Sequence, residues 1–169
     1  MNFVRRYLIA TGVLVLTACA PVETPAETPR MDDIEITLSR GVCFGFCPAY
    51  TVTINGDGQV RYQGRRFVNV VGERTATIAR ADVARLAQRF TDIGFFDLAD
   101  TYRSEVTDLP TYSVTIVSGG RRKTVVDYGG ISAGMPRAVR ELQEEIDRVA
   151  GTAQWVLRDG QPVTERPQP

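Results

Sequence analysis

The stretch Thr51-Val52-Thr53-Ile54-Asn55-Gly56-Asp57-Gly58-Gln59-Val60-Arg61-Tyr62 decides the fold. Apolar and polar residues alternate on both sides of its centre, the period of a half-buried strand. Asn-Gly and Asp-Gly supply the positive φ that a tight hairpin turn requires. The stretch is therefore a β-hairpin with one apolar face, and the rest of the chain must cover that face.

Upstream, Ile34-Glu35-Ile36-Thr37-Leu38 alternates in the same way and gives another strand. Downstream, Phe67 to Val71 and Thr75 to Ile78 read as one or two further strands around Gly72. Then the period changes. Val83, Leu86, Ala87 and Phe90 fall at i, i+3, i+4 and i+7, one face of a helix, with Gly94 just past its end. Phe95, Phe96 and Leu98 follow in a turn expected to pack under the sheet edge.

The second half resembles the first. Tyr112-Ser113-Val114-Thr115-Ile116 echoes Tyr50-Thr51-Val52-Thr53-Ile54. Ser118-Gly119-Gly120 turns the chain and Thr124-Val125-Val126 runs back. Met135, Val139, Leu142, Ile146 and Val149 mark a second amphipathic helix closed by Gly151. Each half reads strand, turn, strand, helix, compatible with a duplicated ββα unit; Val, Ile and Thr also give such matches by composition alone. The expected fold class is α+β. It is a two-layer sandwich over residues 34–158, an antiparallel sheet with two helices packed on one face. Ala153 to Arg158, with Trp155, adds an edge strand or caps the core.

A chain of 169 residues favours one domain. Its 43% hydrophobic and 24% charged residues are ordinary for a globular protein. Twenty basic residues balance twenty acidic ones, whereas a nucleic-acid binder carries a basic excess, so no nucleic-acid partner is expected. Histidine is absent, which removes Ser-His-Asp and Cys-His catalysis and His-ligated metals.

Arg5 and Arg6 precede an apolar run, Tyr7 to Leu16, too short to span a bilayer but suited to a signal-peptide h-region. Leu16-Thr17-Ala18-Cys19 follows and resembles the lipobox of bacterial lipoproteins. That resemblance implies a signal peptide over 1–18 and lipidation of Cys19. It implies anchoring to the outer membrane, facing the periplasm, because Ala20 rather than aspartate follows the cysteine. Cleavage leaves 18 basic against 20 acidic residues. Residues 19–33 are rich in Pro, Glu and Thr and form a flexible tether. Residues 159–169, with three prolines, read as a disordered tail.

Two thiols remain, Cys43 and Cys47, and an oxidising compartment favours a disulfide. Four extended steps span about 13 Å, while a disulfide needs Cα atoms within about 7 Å. The segment must turn, and Gly45 permits that. Such a short loop gains only about 2 kcal/mol from chain entropy, so the bridge mainly shapes the loop that carries Phe44 and Phe46. A thiol-redox site and a metal site are the rivals. The Cys-x3-Cys spacing disfavours the first, and two thiolates without histidine are a poor metal set. No metal and no cofactor are expected.

The run Cys43-Phe44-Gly45-Phe46-Cys47-Pro48-Ala49-Tyr50 resembles the opening of the bacterial domain-of-unknown-function family 6438. Thr107-Asp108-Leu109-Pro110-Thr111 and Asp127-Tyr128-Gly129-Gly130 are similar to later parts of that family. The resemblance covers about residues 33–150 and implies a β-rich α+β domain of the envelope, with no activity to carry over.

Asp97, Asp100, Glu105 and Asp108 form a carboxylate cluster in sequence, but Asp108, before Pro110, reads first as a turn residue. Ser113 and Ser132 lack a histidine base, and Lys123 is the sole lysine. Arg65-Arg66 and Arg121-Arg122-Lys123 fit an anionic partner or simply keep sheet edges soluble. Thr51, Thr53, Thr115 and Arg61 are expected on the uncovered sheet face as a docking surface. The binding residues singled out are therefore Phe44, Phe46, Arg65, Arg66, Asp108, Arg121 and Arg122. Three functions follow as expectations. The first is a non-enzymatic envelope module that binds a protein or an anionic glycan. The second is an enzyme inhibitor acting through the Cys43–Cys47 loop. The third is a thiol-redox protein.

Overall fold

A computed structural model describes residues 30–165. The expected signal peptide, Cys19 and most of the expected tether lie outside the described residues. The fold is mixed α+β. Its strands are β1 (Glu35–Arg40), β2 (Ala49–Asn55), β3 (Gln59–Arg66), β4 (Gly72–Thr77), β5 (Thr101–Arg103), β6 (Thr111–Ser118) and β7 (Arg121–Tyr128). The helices are α1 (Arg80–Asp92), α2 (Arg137–Ala150) and the short α3 (Ala153–Val156). Among the described residues one sheet contains every strand, in the order β4-β3-β2-β1-β6-β7-β5.

The quoted hairpin is β2 and β3, with Ile54 facing Val60 across the turn. Gly58 has φ 92° and donates to Asn55 O at 2.9 Å. A Cβ at Gly58 would meet Ile78 O at 2.2 Å, and one at Gly56 would meet Met31 O at 1.5 Å. Both glycines are therefore fixed by close backbone approach as well as by the turn.

The side-chain alternation sorts the sheet into two faces. Ile36, Leu38, Val52, Ile54, Val60, Tyr62, Val114, Ile116 and Val125 are buried. They form one cluster with Val83, Leu86 and Phe90 of α1 and Val139, Leu142 and Ile146 of α2. Helical period 3.6 and strand period 2 thus deliver their apolar sets to a common core. Gly94 (φ 62°) ends α1, and Phe95 then packs edge-on against Phe90 at 4.8 Å.

Several expectations are corrected. The sheet is antiparallel except at one edge, where β5 pairs parallel with β7. β5 has three residues and too short a pattern to register in the sequence. Phe67 to Val71 is not a strand. Phe67 has φ 54° and breaks the ladder, and Asn69 and Val70 instead donate to Val156 O and Trp155 O. Ala153 to Val156 is helical rather than an edge strand, and its Trp155 stacks on Tyr62 at 5.0 Å, capping the core. Order continues past Arg158: Arg158 and Gln161 form a bridge and Val163 is buried, so the tail expectation fails over 159–165.

The two echoing strands flank β1 in matched register. Leu38 faces Val52 and Val114, and Ile36 faces Ile54 and Ile116. β2 and β6 run the same way with the same face inward, yet β3 lies on one outer side and β7 on the other. The two hairpins are therefore of opposite hand. No rotation superposes them, which argues against a duplicated ββα unit and favours convergence on strand composition.

Candidate functional site

Cys43 and Cys47 are bonded, with Cα atoms 5.6 Å apart, closing the loop between β1 and β2. Phe44 is 89% exposed and Phe46 57%, with Val42 at 50% and Val106 of the facing 104–110 loop at 58%. Phe44 N donates to Asp108 O at 3.3 Å, joining the two loops. Phe46 packs edge-on against Phe67 at 5.3 Å, and the Arg66 guanidinium lies over the Phe67 ring at 4.8 Å. Phe67 and Asp108 (φ 65°) are two of three non-glycine residues with positive φ among the described residues. Both border this loop. Backbone strain of this kind persists only where surrounding structure holds it, and it gathers at functional surfaces.

The loop stands on a polar cluster that the sequence reading missed. On the helix-facing side, the last row of the sheet runs Tyr50, Arg40, Tyr112, Asp127, Tyr102. Asp147 of α2 reaches this row. Its Oδ2 accepts from Arg40 Nε (2.9 Å) and Nη2 (2.6 Å), and its Oδ1 accepts from Tyr50 OH and Thr152 Oγ1, both at 2.7 Å. Arg40 precedes the loop and Tyr50 follows it, so one carboxylate ties both stems of the loop to α2. Asp127, 1% exposed, accepts from Gly130 N (2.8 Å), Arg140 Nη2 (2.8 Å) and Gln143 Nε2 (3.0 Å). The guanidinium carbons of Arg40 and Arg140 lie 4.6 and 5.3 Å from the Tyr112 ring centre, a cation–π arrangement.

This network sets its own titration. Burial opposes the charge on Arg40, but Asp147 together with Tyr50 and Tyr112 more than offsets it and raises its pKa. Burial first, then the facing Asp147 carboxylate, raises Tyr50 well above the ordinary phenol range. Burial pushes Tyr62 up to about 12. Both phenols hold their protons more tightly folded than unfolded, where a tyrosine loses its proton near pH ~10. The stability they contribute is complete below that pH and is lost as pH rises toward the folded values. Tyrosinate absorbance should therefore show these two rings silent until the chain unfolds in alkali. Tyr50→Phe should flatten the alkaline fall in stability; an unchanged slope would refute the assignment.

The remaining expected residues scatter. Asp97, Asp100, Glu105 and Asp108 are all exposed. Asp100 is taken by Lys123 Nζ at 2.6 Å, and Asp108 serves through its backbone. Lys123 sits on the helix-facing side opposite Ile116, whereas Ser113 points to the other face, so they form no dyad. Arg121 covers the Phe96 ring at 4.2 Å. Arg65 lies on the open face, bonded to Thr51 Oγ1 at 2.9 Å and to Arg40 O at 3.1 Å. Thr51, Thr53, Thr115 and Arg61 share that face through their register.

The segments just described, from the disulfide loop to the Asp127 turn, fall within one matched region. The family described as a domain of unknown function, DUF6438, covers residues 34–150. The chain belongs to the DUF6438 family. No curated protein matches it. The DUF6438 region includes both stems of the disulfide loop, all seven strands and the polar cluster except Thr152. It stops at Ala150, before Trp155 and Val163, which complete this chain's core.

Proposed function

We propose that this chain is a non-enzymatic, lipid-anchored protein of the cell envelope that binds another envelope protein through the Cys43–Cys47 loop. The observation that carries the reading is the exposed apolar group Val42, Phe44, Phe46 and Val106 on a loop held by a disulfide and a part-buried carboxylate. Large exposed apolar side chains cost solubility, and aromatic anchors dominate binding energy at protein interfaces. A rigid loop loses little entropy on docking. Placement adds support. The tether enters beside Glu35, and the loop leaves the far end of β1, six residues or about 20 Å away. The loop therefore lies at the end of β1 away from the entering tether. The finer architecture belongs to the same proposal: a two-layer sandwich, with α1 and α2 on one face and half-exposed hydroxyls on the other.

The inhibitor reading uses the same surface. Phe44 stands out furthest on a loop of five residues, a shape suited to a cleft in a periplasmic or host enzyme. A redox role has less support, because Cys43 and Cys47 lie between two strands rather than at a helix start.

Cross-linking in intact cells, followed by capture of the full chain, tests the proposal. One dominant protein should be recovered, and Phe44→Ser, at the residue that is 89% exposed, should reduce its recovery at least tenfold without lowering the melting temperature. Equal recovery with the variant would overturn the assignment of the loop.

A further inference from the structure

The face of the sheet opposite the helices has a composition of its own. Register places Thr75, Arg61, Thr53, Thr37, Thr115 and Thr124 in one row across six strands. The next row carries Gln63, Thr51, Ser39 and Ser113. Hydroxyls bond across strands: Thr37 to Thr53 at 3.1 Å, Thr51 to Ser39 at 3.2 Å, Thr115 to Thr124 at 2.8 Å. Each hydroxyl has one donor and two acceptor sites, so these pairs leave acceptor capacity unused. The result is a floor of hydroxyls at about 4.8 Å across strands and about 7 Å along them.

Charge on this face departs from the rest of the chain. Its strands present Arg61, Arg65, Arg103 and Arg122 against Glu35 and Glu73, while the whole sequence is neutral. None of these four arginines makes an ion pair among the described residues. Arg65 is also aimed: Thr51 Oγ1, Arg40 O and Tyr50 O accept from its guanidinium at 2.9, 3.1 and 3.3 Å.

We propose that this face binds an acidic polysaccharide, with the hydroxyl rows contacting sugar hydroxyls and the arginines contacting carboxylates or sulfates along the chain. The inference is separate from the protein contact at the disulfide loop. Three features select the ligand. Unpaired guanidiniums on both sides of the hydroxyl floor call for a repeating anion. The row from Arg61 to Thr124 spans four strand spacings, about 19 Å, room for several sugar rings. The half-exposed apolar residues here are Val117 and Val126, and Tyr128 is engaged by Arg103 at 4.3 Å. Among the described residues this face thus offers no free aromatic platform for stacking bases and no apolar wedge for a bilayer.

Retention of the full chain by immobilised polygalacturonate tests this, with dextran as the neutral control. Retention on the acidic polymer alone is expected, weakening as salt is raised. Arg61→Gln with Arg122→Gln should weaken it at least tenfold. Thr37→Val with Thr53→Val should weaken it severalfold; removing both partners of a hydroxyl pair by apolar groups of the same shape is nearly neutral for folding. Phe44→Ser should leave retention unchanged, which separates this result from the loop assignment. No retention, equal retention on dextran, or equal retention on polyphosphate with no effect of the threonine variant would overturn the proposal. So would tighter binding to anionic vesicles.

Discussion

Asp147→Ala should destabilise the protein by about 3 kcal/mol, the lower end of the loss on breaking a buried ion pair, because this pair is part-buried. The carboxylate is the common acceptor for Arg40, Tyr50 and Thr152, and its removal leaves four donor contacts unmet. A domain of this size has about 5–15 kcal/mol to lose, so the denaturation midpoint should fall sharply. The effect also has a location. Arg40 and Tyr50 are the stems of the disulfide loop, so amide exchange over residues 41–48 should accelerate more than exchange in the β2–β3 hairpin. Asp147→Asn keeps one acceptor for Tyr50 and should cost less. A loss below about 1 kcal/mol for Asp147→Ala would place this pair with ordinary surface ion pairs and refute the clamp.

Asp127→Ala should cost a similar amount, about 3–5 kcal/mol, for a different reason. Arg140 is part-exposed and can turn to solvent, but Gln143 is fully buried and its Oε1 already lacks a partner among the described residues. Without Asp127 neither end of that amide is bonded, and Gly130 N is orphaned as well. Amide exchange should quicken at 129–134 and leave the loop at 41–48 protected. The double variant should depart from additivity by more than about 0.5 kcal/mol, because Arg40 and Arg140 share the Tyr112 ring. Strict additivity would show two independent clusters.

Much of the fold was legible because period decides it. The alternation in 51–62 and the 3.6 spacing of Val83, Leu86 and Phe90 each admit one element. Phe67 was misread because its apolar neighbours suggested a strand, while the segment after it bonds instead to Trp155 and Val156, nearly ninety residues further along. The polar cluster went unseen because its members lie far apart in sequence. A signal was present all the same. Arg40 and Asp127 occupy inward positions of their strands, after Leu38 and Val125, and Gln143 and Asp147 flank Ile146 on the apolar side of α2. A charge where the period demands an apolar residue marks a partner elsewhere. The exposure of Phe44 had no such signal, since a loop aromatic can face either way.

The central place of β1 constrains how the chain is made. β1 is the first strand, yet its second partner, β6, begins only at Thr111. A chain emerging from its N-terminus can assemble β1 to β4 as a meander early. Until β6 arrives, one edge of β1 presents unpaired amides beside the apolar residues Ile36 and Leu38. Such an edge is a template for pairing with a neighbouring chain. Its exposure lasts until about seventy further residues have entered the same compartment. The most vulnerable species in the life of this protein is thus a half-sheet, and a holding chaperone that shields β1 should raise its yield more than any gain in the stability of the finished domain.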